Sequence, residues 1–122
     1  MVKMLVYGTL RTGLINNDIY LKDYDRTAIY RIKGFDMYDL GGYPMIHRNK
    51  DGGTIVVEEY DVSDDVYNSI RRMECGAGYV EASMILTGEE YKIYCYSWVP
   101  HDTTKVKDGD YVQYVVKKYG KV

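Results

Sequence analysis

Cys75, Cys95, His47 and His101 are the side chains of this 122-residue chain whose types make nucleophiles, imidazole bases and soft metal ligands near neutral pH. A thiolate paired with an imidazole would attack acyl or similar electrophilic carbons. No spacing brings His47 or His101 to Cys75, so the sequence reads Cys75 as an inert thiol and His101-Asp102, after Pro100, as a surface turn. Zinc needs paired ligands at C-x-x-C or H-x-x-x-H spacing, and neither pattern occurs, so no metal is expected. More informative is a break in the backbone pattern. Residues 2–7 form an apolar run with β-branched members, stopped by Gly8 and Gly13, which predicts a strand followed by a loop of special geometry. That loop is the first candidate site. The composition adds 15 Tyr against one Phe and one Trp, and each ring couples apolar area to a hydroxyl that needs a partner, as in a Tyr-rich sheet or a Tyr-lined pocket.

The elements that must hold such a loop follow from periodicity. A short helical turn is expected within residues 16–24, and strands over 27–32 and 35–40, the second continuing the first beyond Gly34. Gly41-Gly42-Tyr43-Pro44 reads as a turn, Met45-Ile46 as a short strand, and residues 49–53 as a hairpin-type turn into a strand over 54–60. The one clear helix starts at Ser63, a good N-cap, carries Asp64 and Asp65 in its first turn, and sets Val66, Tyr67, Ile70 and Met73 on one face before Gly76 stops it. Residues 79–87 and 91–99 read as strands joined by Gly88-Glu89-Glu90. In the second of these, Tyr94 and Tyr96 share one face and Tyr91 takes the other. Residues 110–118 fit either a strand or a short helix. Many short strands, one strong helix and Gly-rich turns predict an α+β fold, a small mixed or antiparallel β-barrel flanked by one or two helices.

Length and charge narrow the function. One domain over residues 1–122 is expected, since this length builds a single core. The hydrophobic share of 46% with 28% charged residues is that of a soluble protein, and no run approaches the ~20 apolar residues of a membrane span. Two cysteines without an export signal point to reduced thiols in the cytoplasm. A formal net charge of −2 lacks the basic face that duplex nucleic acid demands.

The order of these features resembles the gamma-glutamylcyclotransferase-like family, including gamma-glutamylamine cyclotransferases. Tyr7-Gly8-Thr9-Leu10 after the first strand is similar to the family's substrate-binding loop, and Gly42-Tyr43-Pro44-Met45 to its G-x-P-A turn. The stretch from Glu58 to Asp61 is similar to its G-E-x-Y strand, and Asp108-Gly109-Asp110-Tyr111 to its G-D-W/Y segment. Ile70-Arg71-Arg72-Met73-Glu74, then Gly78-Tyr79, resembles the L-D-x-x-E helix end and following G-Y, in which that Glu is catalytic. The resemblance runs from residue 4 to about 112 and departs at Val57, where Gly is frequent, and at Glu81, where an Arg is common.

What the resemblance implies is cofactor-free cyclisation of a gamma-glutamyl amine or dipeptide to 5-oxoproline. The α-amine attacks its own side-chain amide, so nucleophile and electrophile arrive in one molecule and proton transfer is the main task left. Glu74 would be the general acid and base, its pKa raised by the negative end of the helix and by burial. Tyr7, Gly8, Thr9, Leu10, Arg11, Tyr43, Tyr79 and Tyr111 would bind the substrate, with backbone N–H groups of the loop receiving a carboxylate or an oxyanion. The reversed charge at Glu81 and the Tyr content keep a second reading open, a non-catalytic binder of an anionic or nucleotide-like small molecule on the same scaffold. A homo-oligomer is compatible with either.

Overall fold

The computed structural model describes residues 1–120. In chain order the elements are β1 (Val2–Val6), α1 (Ile15–Tyr20), β2 (Ala28–Lys33), β3 (Phe35–Asp39), β4 (Pro44–Arg48), β5 (Thr54–Val62), α2 (Asp64–Gly76), β6 (Val80–Leu86), β7 (Glu89–Cys95), β8 (Thr104–Lys105) and α3 (Tyr111–Tyr119). They make a mixed α+β fold with a five-stranded sheet, β2-β5-β1-β7-β6, and a three-stranded one, β4-β3-β8.

β1 is central because its residues are apolar on both faces: Met4, Leu5 and Val6 are all buried. It pairs antiparallel with β5, Met4 against Tyr60, and parallel with β7, Met4 against Lys92. The strands do not close into the expected barrel. The two sheets meet instead at one bridge, His47 to Tyr96, where Tyr96 N–H donates to the Ile46 carbonyl at 2.9 Å. Gly34, at φ 92°, causes part of this division. The backbone turns there into a region open to Gly, so β3 leaves the sheet of β2 rather than continuing it. Residues 49–53 likewise join strands of different sheets and do not form a hairpin.

α2 follows its predicted logic. Ser63 Oγ accepts from Val66 N–H at 3.3 Å, capping a helix whose Ile70 is fully buried, a burial worth ~1.5–3 kcal/mol. It ends at Gly76, with Ala77 as its C-cap. Gly78, at φ 96°, reverses the chain so that the Tyr79 N–H returns to the Glu74 carbonyl at 3.1 Å. The region left open between strand and helix resolves as α3, capped by the Asp110 side chain on Gln113 N–H and ended by Gly120 at φ 82°. β6 and β7 are joined by the tighter pair Thr87-Gly88, both at positive φ, with Glu89 and Glu90 already in the strand. Among the described residues no helix is long and apolar enough to cross a membrane.

Candidate functional site

The end of β1, the loop after it, the Gly42-Tyr43-Pro44 turn and the C-terminal turn of α2 converge on a cavity of about 390 Å³. Tyr7, Gly8, Thr9, Leu10, Tyr43, Glu74 and Tyr79 all line it. Leu5, Val6, Asn16, Met73, Ala77 and Tyr94 complete much of the wall and carried no recognisable signal. Two of the buried lining tyrosines already spend their hydroxyls on the backbone. Tyr7 O–H donates to the Tyr94 carbonyl at 2.7 Å and Tyr79 O–H to the Pro44 carbonyl at 2.5 Å.

Glu74 is half-buried, and among the described residues no hydrogen bond or ion pair reaches its carboxylate. Burial alone pushes its pKa from 4.5 up to about 7. The same burial, followed by the nearby Glu74 charge, drives the Tyr79 phenol upward and keeps it neutral. Across the cavity, the N–H groups of Gly8, Thr9 and Leu10 donate to no protein acceptor among the described residues, while the Thr9 carbonyl takes the Asn16 and Asn17 N–H groups at 3.0 and 3.2 Å. Consecutive unspent donors in a loop that lines a cavity are the kind of group that receives an anion or a developing oxyanion.

Close packing fixes this loop to the opposite turn. A Cβ on Gly8 would stand 2.6 Å from Pro44 Cγ, too near for the two segments to keep their spacing. Gly8→Ala should therefore cost ~1–3 kcal/mol in urea unfolding and weaken ligand binding, because the wall at Pro44 must retreat. From below, Glu58 holds the loop: it is 1% exposed and accepts from Arg11 Nε at 2.7 Å, Thr12 N–H at 2.9 Å and Thr12 Oγ1 at 2.8 Å.

Two expected binding residues lie elsewhere. Arg11 turns its guanidinium into the ion pair with Glu58 and a second one to Asp110 at 2.7 Å, which removes it from the cavity wall. Tyr111 packs in the core and stacks on Tyr114 at 6.1 Å between ring centroids. The departures also find places. Val57 is fully buried in β5. Glu81 points to the hydroxyls of Tyr67 and Tyr94, at 2.5 and 2.9 Å, and is not part of the lining. Cys75 is exposed and Cys95 buried, burial raising the latter's pKa to about 11, and neither lines the cavity.

Comparison with known proteins bears directly on this arrangement. The profile of the family described as gamma-glutamyl cyclotransferase, AIG2-like, matches residues 4–113. The chain belongs to this family. Among solved structures, an uncharacterized protein of Pyrococcus horikoshii superimposes with a TM-score of 0.82 at 24% identity, covering 98% of each chain. The protein ytfP of Escherichia coli gives 0.71 at 20% identity, over 89% of this chain and 95% of its own. Part of the allophanate hydrolase of Kluyveromyces lactis, 21% of that chain, covers 96% of this one at 20% identity and a TM-score of 0.78. These likenesses show the cyclotransferase-like fold. Comparison with curated proteins returns no match.

In this member of the gamma-glutamyl cyclotransferase, AIG2-like family the buried acid has a measurable cost. Between pH 4.5 and about 7 the folded state keeps a proton on Glu74 that the unfolded chain has released, so stability falls as pH rises through that window and levels off above it. At ~1.4 kcal/mol per pKa unit, and with partial exposure, the loss is on the order of 1–3 kcal/mol. Urea unfolding at pH 4.5 and pH 8 should show it, and Glu74→Gln should abolish that component.

Proposed function

We propose that the cavity cyclises a gamma-glutamyl amide, releasing 5-oxoproline and an amine, with Glu74 as general acid and base. The observation that carries this reading is a single carboxyl, its pKa pushed up to about 7 by burial, in a cavity that the loop of unspent backbone donors also lines and that has no other charged side chain in its lining. In the reaction, Glu74 accepts a proton from the substrate's α-ammonium. The freed amine then forms a C–N bond to the side-chain amide carbonyl. As the ring nitrogen gives up its second proton and the amide C–N bond breaks, the two protons lost by the α-nitrogen pass in turn through Glu74 to the departing nitrogen, which leaves as an ammonium, so charge and atoms balance without a cofactor. The N–H groups of Gly8, Thr9 and Leu10 would hold the α-carboxylate or the carbonyl oxygen as it gains charge. The free thiols at Cys75 and Cys95 suit the cytoplasm.

Incubating the purified protein with gamma-glutamyl amines and dipeptides, with 5-oxoproline followed by mass spectrometry, tests the reading. Release by wild type that vanishes in Glu74→Gln supports it. The Tyr7, Tyr43, Tyr79 and Tyr94 walls support the second reading, a non-catalytic small-molecule binder. Equal binding by both proteins with no 5-oxoproline from either would select that one.

A further inference from the structure

Sheets that do not close leave edges, and the two edges of the five-stranded sheet differ. β2 is guarded: Arg31 and Lys33 stand exposed on it, and Arg31 Nη1 reaches the Asp108 carbonyl at 3.1 Å. β6, Val80-Glu81-Ala82-Ser83-Met84-Ile85-Leu86, has no Pro, Lys or Arg to guard it. Its one charge is spent inside the chain, since Glu81 accepts from the hydroxyls of Tyr67 and Tyr94 and lies 3.5 Å from Arg71 Nε. Among the described residues only β7 pairs with β6, and no loop backbone bonds to residues 80–86. Val80, 54% exposed, and Ile85, 66% exposed, set apolar surface beside that unpaired backbone. Such an edge is a template for another strand.

The residue order of β6 selects a second copy of itself as that strand. The register with β7 puts Val80, Ala82, Met84 and Leu86 on one face, opposite Cys95, Ile93, Tyr91 and Glu89, and Glu81, Ser83 and Ile85 on the other. Antiparallel pairing of two β6 strands about a two-fold axis at Ser83 engages every residue of both. Val80 then meets Leu86 of the second copy and Ala82 meets its Met84, small against large, so the apolar face runs on across the junction. Glu81 meets Ile85, which keeps the two carboxylates ~13 Å apart along the strands. Centring the pair on Glu81 would instead set those carboxylates against each other. Centring it on Ile85 would run the strands into the Thr87-Gly88 turn.

We propose that β6 is a self-association edge: two copies of this chain join β6 to β6, antiparallel about Ser83, and extend their five-stranded sheets into one continuous sheet. No residue of β6 lines the cavity, so the association stands whether or not the cavity cyclises anything.

Sedimentation equilibrium over about 1–300 µM should show monomer and dimer with a Kd on the order of 10 µM, as suits a strand-to-strand contact smaller than a standard protein–protein patch. Two variants at the axis test the register. Ser83→Glu places a carboxylate beside Lys92, whose Nζ lies 2.9 Å from Ser83 Oγ, so the fold gains a partner for it while the second copy opposes it. Ser83→Lys opposes its own copy with the other sign. Each variant alone should associate at least about tenfold more weakly, and an equimolar mixture should form heterodimers at close to wild-type affinity. Hydrogen exchange needs no variant: amides within residues 80–86 should exchange more slowly as the wild-type concentration rises. A wild type that stays monomeric throughout overturns the proposal. So does a dimer that both variants leave unchanged, or one whose formation protects amides elsewhere and not in β6. A mixture that fails to associate, from variants whose circular dichroism matches wild type, overturns the pairing at Ser83 and the proposal with it.

Discussion

Glu74→Gln is expected to lower 5-oxoproline release at pH 7 by roughly 10²- to 10⁴-fold while changing ligand affinity only slightly. The substitution keeps the shape and removes the proton acceptor. Because no side chain is bonded to the Glu74 carboxylate among the described residues, it disconnects no network, and the loss belongs to proton transfer. In wild type the ionised form must collect the ammonium proton, so kcat/KM should rise with pH to a plateau, with an apparent pKa near 7 set by burial. The variant's residual rate should lack that limb. A merely structural Glu74 would alter thermal stability and leave the pH profile of the rate in place, which is the outcome that would remove it from the mechanism.

The parts of this site visible in the sequence are those written in local pattern. An apolar strand halted at Gly8 marks the loop, and the Ser63 cap with Val66, Tyr67, Ile70 and Met73 at helical spacing marks the helix that ends at the acid. Residues 110–118 read as either strand or helix because Tyr111, Val112, Tyr114, Val115 and Val116 favour strands by propensity. The Asp110 cap, the Gly120 end and packing against Asp39, which Tyr114 reaches at 2.7 Å, decide for helix. Arg11 illustrates the other limit. Its partners lie 47 and 99 residues away, and nothing in local spacing distinguishes a cation aimed at a ligand from one buried in an ion pair. The open sheets have the same origin: strand lengths announce many strands, whereas the bend at Gly34 that sends β3 to a second sheet is a tertiary choice.

That misplaced arginine identifies the second large effect. Glu58→Gln should destabilise the protein by ~3–5 kcal/mol, a fall in Tm on the order of 10–20 °C, because it leaves a buried guanidinium facing a neutral amide. Asp110 still holds Nη1 at 2.7 Å, but Nε and the Thr12 N–H lose a charged acceptor, and Arg26 Nη1 at 3.6 Å is too exposed to take part strongly. The energetic asymmetry gives a sharper form of the test. Replacing both Arg11 and Glu58 by Met removes the desolvation of two charges together with their attraction, so the double variant should recover part of the stability lost in Glu58→Gln. Ligand affinity should not recover with it. The Thr12 backbone N–H then has no carboxylate to hold it, and the run of donors at Gly8, Thr9 and Leu10 loses its support from below. Stability measured by thermal unfolding and affinity measured by calorimetry would thus separate. If both returned together, the loop would be held by Asn17, whose amide reaches the Leu10 carbonyl at 2.8 Å and the Tyr60 hydroxyl at 2.9 Å, and Glu58 would contribute packing alone.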